Sequence, residues 1–262
     1  MAKGIPKRSM IRLSRSSLAF LLIALFVSGS ILGAKTYYIF QPFGESQEVL
    51  SLEKSVEKST NIVAVSSNGE GVLGKLTVDV ATGKGRVLVD TETLVGFDFQ
   101  YADRVAVKVA ANEAGIALDD DDVGVKNIDV HFLVSSETEE EVRIQAVDGP
   151  SAGATTAVLT YAALENKTVR DDVVMTGTIR EDGSIGVIGG VAAKAMAAEE
   201  AGKNLLLVPE GQTVTVYKQL GFFTVQRTKP ISYLQDYAAE QGWNLQIVEV
   251  STIEDAIDLM IQ

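Results

Sequence analysis

The seventeen residues from Leu18 to Ala34, "LAFLLIALFVSGSILGA", carry no charge, and no helical rotation of them presents a polar face. Such a helix does not suit the surface of a water-soluble domain. It spans roughly 25 Å, a little short of a bilayer core of about 30 Å. Ser16 and Ser17 before it, and Tyr37, Tyr38, Ile39 and Phe40 after it, extend the span, with the tyrosines at interface depth. The sequence therefore predicts a basic head over 1–16 and a transmembrane anchor over 17–36. The rival reading is a cleaved signal peptide, with Leu18 to Val27 as its apolar core. Lys3, Lys7, Arg8, Arg12 and Arg15 precede the span, and Lys35 is the one basic residue immediately after it. The positive-inside rule then places the N-terminus in the cytoplasm and everything after Lys35 on the other side.

The formal net charge is −12, so removing the five positive charges of the head leaves −17 on the remainder. An acidic body argues against a nucleic-acid partner, which requires a basic face. The absence of cysteine excludes disulfides, thiolate catalysis and cysteine-ligated zinc. With 46% hydrophobic residues, the chain can build a sizeable core without staples.

Residues 37–60 are polar and mixed in charge and read as a tether. Residues 61–262 read as one α+β (mixed α/β) domain. "NIVAVS", "GKLTVDV" and "GRVLVDT" are short apolar or alternating stretches separated by glycine, the pattern of strands joined by tight turns. Phe97, Tyr101, Val105 and Val109 recur at fourfold spacing, predicting a helix over 97–114 closed by Gly115. "NIDVHFLV" and "EVRIQAV" read as strands, Ser151 to Leu164 as helix, and Asp182-Gly183 as the turn of a hairpin. Val191 to Ala201 is helix closed by Gly202, "NLLLVP" a buried strand, and the tail helix (231–240), strand (244–250) and helix (252–261).

Three signals lead elsewhere. "GEGVLGKL" (69–76) nearly spells a phosphate-binding loop, but Leu76 replaces the magnesium-binding hydroxyl and the following residues read as strand, not helix. "LDDDDV" (118–123) lacks the ligand spacing of a calcium loop and reads as a solvated turn. His131 beside Asp129 offers a triad base, but a lone histidine in a strand is more often structural.

"DGPSAG" (148–153) reads most simply as a turn feeding a helix. A serine at a helix start is also well placed for chemistry, because the unpaired N–H groups there can hold an oxyanion. Ser151 then needs a base, and Lys194 is the candidate. On a helical wheel Val191, Ala197, Ala198 and Ala201 fall within about sixty degrees of it, while Glu199, Glu200 and Lys203 gather on the far side. A lysine there either snorkels to the domain edge or loses its proton through burial and serves as a general base.

"DGPSAG", "MTG" (175–177) and "GSIGVIGGVAAKAMAAEEAGKNLLLVP" (183–209), in that order, resemble the proteolytic domain of Lon proteases. The likeness covers roughly 61–210 and is strongest from Asp148 to Pro209. It implies a Lon-like fold, a catalytic dyad of Ser151 and Lys194, a supporting Thr176, peptide-bond hydrolysis through an acyl-enzyme, and no metal or cofactor. Val187 stands where the family usually has proline, and 211–243 follows no recognisable Lon pattern. The place of the family's ATPase module is taken by the apolar segment and tether. The expectation is a membrane-anchored, ATP-independent serine endopeptidase acting on peptides or unfolded segments. A homo-oligomer is left open. The alternative is a non-catalytic, membrane-tethered peptide-binding scaffold.

Overall fold

A computed structural model describes residues 54–90, 93–136, 146–220 and 223–262. In chain order the strands are β1 (Val56–Val65), β2 (Gly71–Thr82), β3 (Val87–Val89), β4 (Leu94–Val95), β5 (Ile128–Ser136), β6 (Ala146–Val147), β7 (Val173–Met175), β8 (Thr178–Ile179), β9 (Ile185–Gly186), β10 (Leu205–Pro209), β11 (Thr213–Leu220), β12 (Phe223–Pro230) and β13 (Gln246–Val250). The helices are α1 (Phe97–Glu113), α2 (Gly153–Leu164), α3 (Val191–Glu200), α4 (Ser232–Gln241) and α5 (Ile253–Met260).

Seven strands form a mixed sheet in the order β13-β10-β7-β1-β2-β5-β3. The β13, β10, β7 and β1 strands run parallel, and the β1–β2 and β2–β5 pairs are antiparallel. The parallel half is covered on both faces. Val173, Met175, Leu205 and Leu207 face α2 and α5, while Val174, Leu206 and Val208 pack with Val191, Ala195 and Ala198 of α3 and Leu234 of α4. Two covered faces explain why "LLLVP" is an unbroken apolar run, buried along its whole length. In β2 the inward residues Leu76, Val78 and Val80 alternate with partly exposed Thr77 and Asp79, because one face there stays open.

The mixed α/β class, the principal strands and the helix stops at Gly115 and Gly202 agree with the sequence reading. Several particulars differ. β1 begins at Val56, inside the stretch assigned to the tether, because Val56 to Thr60 pair in register with Val80 to Leu76. Phe97 and Tyr101 are exposed, not on the buried face of α1, which runs through Phe99, Ala102, Asp103, Ala106 and Ala110. A strict fourfold repeat drifts about 40° per step around a helix, so it follows the buried stripe only locally. Gly71, within the near-miss phosphate loop, opens a strand. In the acidic turn Asp119 accepts the Val123 N–H at 2.9 Å and Asp122 pairs with Lys108. Residues 211–243 form the β11–β12 hairpin and α4. Of "EVRIQAV", the described part is β6, which pairs parallel to β4. The anchor and the basic head lie outside the described residues, and no helix among those described is long and apolar enough to cross a membrane.

Candidate active site

Ser151 lies in a single 3-10 turn, Pro150–Ala152, that runs directly into α2. The helix proper therefore starts two residues later than its pattern suggested. Gly153 makes the junction possible: a Cβ there would lie 2.9 Å from Ile179 Cγ2 and 3.3 Å from Ala102 Cβ, so the helix mouth sits hard against β8 and α1. Asp148 is exposed. Its carboxylate accepts the Gly149 N–H at 2.8 Å and lies over Gly96 at the start of α1, where a Cβ would meet it.

Thr176 and Gly177 follow β7 and meet the same turn. Gly177 N–H donates to Ser151 O at 2.8 Å, and Ala154 N–H donates to Gly177 O at 3.0 Å. Thr176 Oγ1 donates to Ser151 O at 3.2 Å. These bonds hold the backbone of the serine turn to the end of the parallel sheet.

Lys194 reaches the site from α3 on the other side of the sheet. Its Nζ donates to Ser151 Oγ at 2.8 Å and to Thr176 Oγ1 at 2.9 Å. The helix carries Lys194 on its buried face with Val191, Ala195, Ala197 and Ala198. Ala201, expected on that face, is exposed because the helix ends at Glu200. Lys194 is only 3% exposed and Thr176 only 1%. Burial disfavours the ammonium, and the Lys194 amine is pulled down to about 8. At pH 7 about a tenth of it is neutral, against well under a thousandth for an unburied lysine.

The structure thus brings Ser151, Lys194 and Thr176 together within hydrogen-bonding distance. It does not bring His131 to them. That ring sits on β5, opposite Asp79 and 4.0 Å from Asp90. Two strands, β1 and β2, separate β5 from β7, a displacement of about 14 Å at ordinary strand spacing. Asp129 is likewise engaged elsewhere, accepting from Lys84 N, Arg86 N and the Arg86 guanidinium, which holds its carboxyl well below the usual range. The close approach of Asp148 to Gly96 is not legible in the sequence, although Asp148 lies within "DGPSAG".

A half-buried serine bonded to a buried lysine at a helix mouth, at the end of a parallel sheet, is an arrangement that can support acyl transfer. Comparison with known proteins agrees. Residues 102–219 match the family model of the Lon protease (S16) C-terminal proteolytic domain. The chain is 32% identical over 167 residues to a Lon protease of Fusobacterium nucleatum, covering 62% of this chain and 21% of that protein. It is 26% identical over 188 residues to Lon protease 1 of Sorangium cellulosum, covering 71% and 20% respectively. With the archaeal Lon protease of Thermoplasma acidophilum it shares 37% over 86 residues, 33% of this chain and 12% of the relative. Residues 102–219 are thus similar to the proteolytic domain of the Lon (S16) family, and the matched part spans about a fifth or less of the length of these relatives.

Proposed function

We propose that this protein is a serine endopeptidase in which Ser151 is the nucleophile and Lys194 the general base. The reading rests on the 2.8 Å contact between Lys194 Nζ and Ser151 Oγ in a site that keeps the amine partly neutral. Lys194 takes the hydroxyl proton as Ser151 Oγ bonds to the peptide carbonyl carbon. The N–H groups of Ser151 and Ala152, at the helix mouth, receive the oxyanion. Lys194 returns the proton to the departing amine as the C–N bond breaks, and then activates the water that hydrolyses the acyl-enzyme. Thr176, accepting from Lys194 and donating to the Ser151 carbonyl, keeps both partners in register. None of these steps draws on ATP, and Gly71 opens a strand rather than a phosphate-binding helix. We therefore read the peptidase as ATP-independent.

A serine-reactive probe should label the full-length chain without ATP or magnesium, and Ser151→Ala should remove the label. Absence of labelling in the parent chain would favour the non-catalytic peptide-binding scaffold. A strict ATP requirement for peptide hydrolysis would overturn the second half of the reading.

The charge asymmetry around Leu18–Ala34 supports an anchored form with a cytoplasmic N-terminus and the catalytic domain outside. Protease added to intact cells should then digest the domain. Digestion only after the membrane is opened, with the span still present, would reverse the orientation.

A further inference from the structure

Among the described residues Asp103 is the one fully buried carboxylic acid, at 1% exposure, and neither of its carboxyl oxygens accepts a hydrogen bond. An unpaired buried carboxylate is costly, so the group is held in its neutral form and retains a proton to donate. Burial pushes it up to about 8, against a lowering influence of the Thr156 hydroxyl beside it.

Its position relates it to the site. Asp103 lies on the face of α1 that packs along α2 and against the 3-10 turn of Ser151. Thr156, one turn into α2, donates its hydroxyl proton to Ala152 O at 3.1 Å and can still accept through a lone pair. Ala152 is the residue after Ser151. Among the described residues, the elements that pack most closely on α1 present no charge to Asp103. The serine turn, β3 and β8 contain no titratable residue, and α2 contains only Tyr161, whose hydroxyl accepts from Lys167 at 2.7 Å. On α1 itself Arg104 is exposed and Lys108 pairs with Asp122 and Glu181.

We propose that Asp103 is a positioning residue: neutral, it donates to Thr156 Oγ1, and through that hydroxyl it fixes the Ala152 carbonyl and the turn that aims Ser151. Ionised, the carboxylate can only accept. It then competes with Ala152 O for the single Thr156 proton, and the turn is released. The site therefore carries two opposed proton requirements. Lys194 must lose its proton, which sets the acid limb of activity, and Asp103 must keep its own, which sets the alkaline limb.

The inference rests on the Ser151–Lys194 reading, and one experiment separates the two. The full-length chain in detergent, with Asp103→Asn, Asp103→Leu and Thr156→Val, is assayed for amide hydrolysis from pH 6 to 10, over the range where circular dichroism shows each protein folded. Ser151 labelling is followed in the same samples. The parent should give a bell-shaped profile. Asp103→Asn keeps a donor and cannot ionise, so it should retain most of the parent kcat at pH 7.5 and lose the alkaline limb. At pH 9.5 it should exceed the parent by about tenfold or more. Asp103→Leu and Thr156→Val should each lower kcat about tenfold with KM unmoved, and together no further, as members of one chain do. An alkaline limb unchanged in Asp103→Asn overturns the proposal, and if Asp103→Leu does not fold, that comparison decides alone. A parent chain that Ser151-directed probes fail to label shows instead that the dyad reading itself has failed, and the positioning role falls with it.

Discussion

Lys194→Met should abolish peptide hydrolysis while leaving the fold in place, with kcat reduced by about a thousandfold or more. Methionine fills nearly the same volume but removes the amine that is hydrogen-bonded to Ser151 Oγ and can take its proton. Ser151→Ala should cost a similar factor, and the double variant should cost no more, because the two residues act as one unit. In the parent, the acid limb of kcat/KM should climb about tenfold per pH unit up to about pH 8, the value to which burial lowers the amine. The same shift fixes a second observable. An amine whose folded value lies below its unfolded value binds protons more readily unfolded, so it lowers stability below about pH 8, and that loss disappears as pH rises towards the ordinary lysine range. Lys194→Met should therefore be more thermostable than the parent at pH 7, with the difference shrinking above pH 8. Retention of more than a tenth of the turnover in Lys194→Met would remove the dyad from consideration. His131→Ala, distant on β5, should stay active, and a dead His131→Ala would revive the triad reading.

The legible parts of this protein are those whose signal is local. Lys194 stood out because a charged residue interrupts an alanine-rich helical face, and the structure buries it there with Ala195, Ala197 and Ala198. "NLLLVP" was legible because a strand covered on both faces must be apolar throughout. The less legible parts depend on what packs against them. Val56 to Thr60 look like a tether because Glu57, Lys58 and Ser59 are polar, and only pairing with β2 makes them strand. The thirteen residues after Gly96 contain several possible helical stripes. The fourfold one through Phe97 and Tyr101 is the most hydrophobic at its start, yet contact with α2 selects the stripe through Phe99 and Asp103. Asp103 was invisible for that reason: in sequence it is one more acid in an acidic chain, and only the α1–α2 interface makes it a buried, unpaired carboxyl. The β11–β12 hairpin lay beyond the resemblance read from the sequence, which stopped near 210, whereas the family match reaches 219 and takes in most of β11; Val214 and Val216 alternate with outward Thr213, Thr215 and Tyr217 in the period of a strand.

Gly71→Ala should reduce kcat by about a hundredfold or more, although Gly71 is no part of the dyad. A Cβ at this position would lie 1.9 Å from Ala193 O, 2.7 Å from Ala193 C and 3.0 Å from Ala197 Cβ. The first two are backbone atoms of α3 in the residue directly before Lys194, so no side-chain rotation relieves the clash. The helix must retreat from β2 by more than an ångström to restore a normal contact. That displacement is applied next to a residue whose Nζ makes two bonds of 2.8 and 2.9 Å. Misplacement on this scale is enough to cost about a hundredfold in a positioned reaction. Gly69→Ala provides the control. Gly69 has φ of +87°, so alanine there is strained, but nothing lies within 4 Å of the added Cβ. It should therefore lower stability by roughly 1 kcal/mol and leave kcat close to that of the parent wherever the protein is folded. Gly69 and Gly71, both within 69–76, thus have separate structural duties, one setting a turn and the other admitting the helix that carries the base. Equal kcat in Gly71→Ala and the parent, measured on folded protein, would show that the approach of α3 to β2 does not set the position of Lys194.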